Sequence, residues 1–111
     1  MANISTDGSS PDHLRLDSAA FLAKSLSEAN RLRILLCVNN GKKSVTQIVE
    51  ELALSQPLVS HHLRELKRAL LVKVERSGPF IYYQTADTRI IEILQTLDAV
   101  AADLLAERNS F

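Results

Sequence analysis

Residues 56–67 concentrate side chains that can read the edges of DNA bases: Gln56, Ser60, His61, Arg64 and Lys67. Gln can bond an adenine edge, Arg can grip guanine through two parallel hydrogen bonds, and Ser or His can reach bases or phosphates. Between them run Val59, Leu63, Leu66 and Leu70, stepping by four, three and four. On a helix this spacing makes one core-facing stripe and leaves the polar set broadly on the solvent side. Further on, Lys73 and Arg76 lead into Ser77-Gly78-Pro79. That is a basic segment whose glycine permits a tight approach to phosphate or a minor groove. Taken alone, such residues are what any solvated helix face carries, so the surrounding elements must decide.

Other chemistries find less material. Ser, His and Asp occur, but without a nucleophile elbow, a glycine-rich phosphate loop or an HExxH-like pair. Glu50 and Glu51 are adjacent, so on a helix they point about 100° apart and form no carboxylate dyad. No catalytic residue is expected, and the protein does not read as an enzyme. The single cysteine, Cys37, cannot form an internal disulfide and sits between Leu36 and Val38. It reads as a small packed hydrophobe, with pairing to Cys37 of a second subunit as the sharper alternative. His13 reads as a solvated histidine in a polar segment.

The 111 residues fit one domain, and burying roughly two-thirds of the unfolded surface suffices for a core without staples. No run approaches the ~20 apolar residues of a membrane span. Residues 1–13 are small and polar, read as a flexible N-terminal tail without a secretion signal, and the expected location is cytoplasmic. The folded part is read as residues 14–108. Leu14, Phe21, Leu22 and Leu26 suggest a first helix from about Asp17 to Leu26. Ser27 is the expected cap of a second helix, which carries Leu32, Leu35, Leu36 and Val38 and ends at Asn39-Asn40-Gly41. Ser44 or Thr46 begins a third, short helix stopping near Leu54. Ser55 caps a fourth with Pro57 in its first turn, where a missing N–H costs nothing. After Leu71 the period changes from 3.6 to 2, and Val72, Val74 and Phe80-Ile81-Tyr82-Tyr83 flank a glycine turn as a two-stranded hairpin. Tyr82 and Tyr83 should point to opposite faces. From Asp87 to about Glu107 a helical pattern resumes with Ile90, Ile91, Leu94, Leu97, Ala101, Leu104 and Leu105 on one side. Ile93 and Val100 widen that face beyond what one small domain needs.

The expected fold is therefore mostly α (α+β), a winged helix-turn-helix of about five helices with a two-stranded β-hairpin wing between helices four and five. At this point the residues resemble a family. Leu26–Leu35, LSEANRLRIL, looks like the start of the second helix of ArsR/SmtB-type repressors. Ser55–Leu66, SQPLVSHHLREL, is similar to that family's recognition helix, and Ile81-Tyr82-Tyr83 resembles the end of its wing. The resemblance spans roughly Phe21 to Thr85, with all three blocks in the family's order. One departure is Ala69-Leu70-Leu71, where the family usually has Gly before the final Leu. By resemblance to the SxHL pattern, His62 supports the helix or touches phosphate; the alternative is a histidine hydrogen-bonded inside the fold. The family's metal sites are not expected here. Ser44, Thr46 and Gln47 stand where the arsenic-type pattern has Cys, Cys and Asp, and no His follows His62. No metal and no cofactor are expected.

Equal numbers of basic and acidic residues, 13 of each, argue at first against a nucleic-acid partner. The distribution reverses that. Between Gln56 and Ala86, Arg64, Lys67, Arg68, Lys73 and Arg76 outnumber Glu65 and Glu75, a surplus of +3. From Asp87 onward the balance is −3. The reading is a homodimeric, sequence-specific DNA-binding regulator, a repressor that leaves double-stranded operator DNA on an unidentified signal. Its DNA-binding residues are expected to be Gln56, Ser60, His61, His62, Arg64, Lys67, Lys73 and Arg76. Its dimer interface is expected to use Phe21, Leu22, Ile90, Leu94, Leu97, Ala101 and Leu104. The rival is a winged-helix protein-interaction module without DNA affinity, against which the polar face at Gln56, Ser60 and Arg64 argues.

Overall fold

A computed structural model describes residues 16–108 of the chain. The expected N-terminal tail, with His13, lies outside the described residues. The elements are α1 (Leu16–Ser25), α2 (Ala29–Asn39), α3 (Val45–Leu52), α4 (Gln56–Arg68), β1 (Val72–Ser77), β2 (Phe80–Thr85) and α5 (Thr88–Arg108). This is the five-helix, one-hairpin order expected from the sequence, with the hairpin between α4 and α5.

Local chemistry accounts for most boundaries. Ser44 caps α3 through a reciprocal capping box: its hydroxyl accepts from the Gln47 amide at 3.3 Å and its own amide donates to Gln47 Oε1 at 2.8 Å. The helix stops at Leu52 rather than Leu54 because Ala53 turns into the left-handed region, φ 56°. Ser55 then caps α4, accepting from the Leu58 amide at 3.3 Å, with Pro57 in the first turn. Ser27 does not cap α2. Its hydroxyl donates back to the Lys24 carbonyl at 2.7 Å and closes α1, and the Glu28 carboxylate accepts from the Asn30 amide instead. A carboxylate at a helix N-terminus also meets the positive end of the helix dipole.

The core joins α2, α3 and α4. Ile34, Leu35, Val38, Ile48, Val59 and Leu66 are fully buried, and Leu63 nearly so. Leu70 does not join them. It is 81% exposed with φ 62°, and Ala69, at 4%, lies in the core beside Leu71. The apolar stripe of α4 is thus complete at Leu66, because the helix has ended before Leu70.

The wing is antiparallel, with register Val72↔Thr85 through Ser77↔Phe80, closed by Gly78 and Pro79. Gly78 has φ +62°, which with proline following is the arrangement of a two-residue hairpin turn of the II′ kind. Three hydrogen bonds fasten the wing to the helical part of the fold. Lys43 and Tyr83 exchange backbone hydrogen bonds at 3.0 and 2.8 Å, and the buried Thr85 hydroxyl donates to the Leu35 carbonyl at 2.8 Å. The register also sorts the side chains. Val72, Val74, Arg76, Ile81, Tyr83 and Thr85 share one face; Lys73, Glu75, Phe80, Tyr82 and Gln84 share the other. Tyr83 is the tyrosine packed on the core. Tyr82 lies on the outer face, 6.4 Å from the Phe80 ring, with the Lys42 ammonium 5.3 Å from its centre.

Helix α5 opens with the Asp87 carboxylate accepting from the Arg89 amide at 2.9 Å, while the Arg89 guanidinium pairs with it. These hydrogen bonds lower the Asp87 carboxyl to about 2. Of the 21 residues in α5, Ile91 and Leu94 are the buried ones. Helix α1 has no buried residue. Both terminal helices therefore leave apolar faces uncovered.

Candidate nucleic-acid interface

Helix α4 positions the reading set through its cap and its core stripe. With Val59, Leu63 and Leu66 turned inward, Gln56, His61, Arg64 and Lys67 are exposed and Ser60 is half-buried. Ser60, Arg64 and Lys67 line one shallow depression of about 250 Å³ together with Val45, Leu63 and Tyr83. Those three side chains thus lie on the flank of α4 that looks toward β2, the strand carrying Tyr83. Arg76 stands on the same wing face as Tyr83, so Arg76 belongs to this side of the molecule. Lys73 is exposed on the opposite face, with Gln84, and is not brought together with the rest.

Among the described residues, Arg64, Lys67, Lys73 and Arg76 make no ion pair, whereas several neighbouring cations are engaged. Arg68 pairs with Glu65 at 3.4 Å, Lys42 with Glu75, and Lys43 with Glu51 at 3.5 Å. Arg33 donates to the Asn30 side chain and the Leu52 carbonyl. An unpaired guanidinium or ammonium on an exposed face costs little in solution and is available to a phosphate or base edge.

One expected DNA contact is placed elsewhere. His62 is 4% exposed and sits inside the fold, where its Nδ1 accepts a hydrogen bond from Arg31 Nε at 3.1 Å. Next to Leu63 and three residues after Val59, its position turns with the core stripe. Burial and the neighbouring Arg31 guanidinium both push its pKa below the ordinary value. Arg31 was not singled out from the sequence. Its signal was there: it stands three and four residues before Ile34 and Leu35, which aims it at the rim of the core.

Cys37 is buried, and its thiol donates to Glu51 Oε2 at 3.2 Å. Burial first, then the Glu51 hydrogen bond, pushes the thiol up to about 11. A protonated thiol is a poor nucleophile, which agrees with a packing role. Among the described residues, no three His, Cys, Asp or Glu side chains group closely enough to hold a metal ion.

The expected dimer face divides. Phe21, Leu22, Leu97 and Leu104 are exposed at 53, 39, 56 and 59%. Ala101 is half-buried, and Ile90 is half-buried against the core. Leu94 is not available for an interface, because at 7% exposure it packs into the core beside Ile91. The outward face is instead widened by Ile93, Val100 and Leu105. No described helix is long and apolar enough to cross a membrane.

Known proteins are similar to this chain in sequence and shape. Residues 28–74 match the family described as "Bacterial regulatory protein, arsR family". An uncharacterized HTH-type transcriptional regulator of Methanocaldococcus jannaschii is 38% identical over 85 residues, covering 76% of this chain and 96% of that protein. The HTH-type transcriptional repressor SmtB of Mycobacterium tuberculosis is 41% identical over 86 residues, covering 78% of this chain and 62% of its own length. Among solved structures, a homodimeric winged helix-turn-helix DNA-binding domain from Mycobacterium bovis aligns with TM-score 0.71 and 28% identity, over 83% of this chain and 85% of that one. NolR from Sinorhizobium fredii aligns with the same score and identity, over 83% and 93%. The chain belongs to the arsR family, and is a transcriptional regulator with a winged helix DNA-binding fold rather than an enzyme.

Proposed function

We propose that the protein is a homodimeric repressor that binds operator DNA with α4 in the major groove and the wing tip against the backbone or minor groove, and that a signal releases it. The observation that carries this reading is the row of polar and basic side chains, Gln56, Ser60, His61, Arg64 and Lys67, on the outward side of a capped helix, with Arg76 on the same side of the wing. The homodimeric M. bovis domain and the SmtB repressor support the assembly and the sign of regulation. The uncovered apolar faces of α1 and α5 are the surface a second copy would bury, led by Phe21, Leu22, Ile93, Leu97 and Leu104. Two recognition helices related by a twofold axis would then meet successive major grooves roughly 34 Å apart.

Regulation here is proposed to work without the family's thiolate site on α3. Ser44 and Gln47 hold two of its three positions, and they are committed to capping α3.

The experiment is selection of duplexes from a randomised library by the purified full chain. Enrichment of a two-half-site palindrome with centres roughly 10 base pairs apart is the expected result. Failure to enrich any sequence would favour the protein-interaction module instead.

A further inference from the structure

A polar link runs from α2 into the middle of the recognition helix. Arg31 donates through Nε to His62 Nδ1 at 3.1 Å and through Nη1 to the Ser25 carbonyl at 3.3 Å. One guanidinium thus ties the end of α1, the start of α2 and the buried side of α4 together. A guanidinium has only donors, so His62 Nδ1 must present its lone pair, and the imidazole is neutral with its proton on Nε2. The charged and titratable groups around the ring are Arg31 from α2, Glu28 at the cap of α2 and His61 on its own helix, whose ring lies 5.2 Å away. Glu28 favours the charged ring, but its carboxylate caps α2, while Arg31 and His61 oppose it. On the far side, Arg31 lines a cleft of about 430 Å³ shared with Lys24, Glu28, Glu65 and Arg68, where Glu65 is paired with Arg68 and the Glu28 carboxylate accepts from the Asn30 amide.

We infer that His62 is a positioning residue for DNA binding, and that its protonation unlatches the recognition helix from Arg31. A proton on Nδ1 sets donor against donor and a second positive charge beside the guanidinium, at a ring that is only 4% exposed. The link then breaks, and α4 loses its polar anchor to α2 in the turn carrying Ser60, His61 and Arg64. DNA affinity therefore falls on acidification. This sign is unusual, because added positive charge on a DNA-binding surface ordinarily tightens the phosphate term. The inference rests on the DNA-binding reading above, and the test keeps the two apart.

The test measures affinity for a library-selected duplex at constant salt, near pH 8 and near pH 5.5, for the parent and His62→Gln. Glutamine keeps an acceptor for Arg31 and does not titrate. The parent should lose about tenfold or more in affinity between the two conditions, while His62→Gln changes by less than about threefold. Equal losses in both proteins, or no loss in the parent, would overturn the inference. Binding by the parent near pH 8 tests the DNA reading by itself. Nitrogen NMR of the parent's histidines decides the latch even without DNA or a folded variant. The latch requires an unprotonated Nδ1 on His62 at neutral pH and α4 amide shifts that move with the His62 titration. A protonated Nδ1 at neutral pH, or α4 shifts indifferent to the titration, would refute it.

Discussion

The backbone amide of Leu71 donates to the carbonyl of Leu66 at 2.9 Å, across a chain reversal in which Leu70 holds φ 62°. With the Leu70 amide on the Lys67 carbonyl at 3.0 Å, this completes a Schellman closure of α4, the turn in which glycine is usual at the left-handed position. A leucine there carries a Cβ against its own carbonyl, a strain of roughly 1–2 kcal/mol, and gains nothing from burial at 81% exposure. Leu70→Gly should therefore stabilise the fold by about 1 kcal/mol, seen as a rise of roughly 4–8 °C in melting temperature for a domain of this size. A lower melting temperature would show that Leu70 makes contacts absent from the isolated chain.

The uncovered face of α5 yields a paired prediction. Leu97→Asp places a charge at a position 56% exposed in the single chain, so the protomer should stay folded while the dimer dissociates. Ile91→Asp places it in the core and should unfold the protein, at a cost of several kcal/mol. Sedimentation and circular dichroism separate the two outcomes. A Leu97→Asp protein that sediments as a dimer would move the interface elsewhere.

Cys37 should be chemically quiet. With its thiol pushed up to about 11 and held on Glu51, alkylation by iodoacetamide near pH 8 should be slow, and peroxide should give no disulfide dimer on non-reducing electrophoresis. Replacing Glu51 with Gln removes the carboxylate, whose hydrogen bond and charge both raise the thiol, and should speed alkylation. A dimer band in the parent protein would restore a redox role.

His62 makes stability depend on pH with a definite sign. Its folded value lies below the ordinary one near 6.5, so the folded state binds fewer protons than the unfolded chain in the window between the two. The stabilisation is complete above about 6.5 and is lost as the pH falls from there toward the lowered value, by at most ~1.4 kcal/mol per pH unit. Urea midpoints at fixed protein concentration should fall in that window for the parent, and less for His62→Gln.

The helix-turn-helix was legible because its signals are local. Of the two candidate caps for α3, Ser44 and Thr46, it is Ser44 that takes the role, Ser55 caps α4 with Pro57 in its first turn, and the strand period fixes the wing. What sequence could not decide depended on orientation between elements. Apolar residues surround much of α5, so Leu94 and Ile93 are interchangeable in periodicity, yet one lies in the core and the other is 57% exposed. Lys73 and Arg76 read as one basic segment until an odd spacing of three puts them on opposite faces of the wing. His62 and His61 differ only by the turn between them, and the partner that claims His62 is 31 residues away.

The central claim is that the exposed flank of α4 reads DNA, and Arg64 is its sharpest element. The direct measurement is the salt-dependent affinity of the parent, Arg64→Ala and Lys24→Ala for a selected duplex, Lys24→Ala being the equal-charge control on α1. Arg64→Ala should lose about 1–3 kcal/mol per subunit, with a salt slope shallower by about 1 per subunit, while Lys24→Ala stays close to the parent. An Arg64→Ala protein that binds as the parent does, with the same salt slope, would contradict the account.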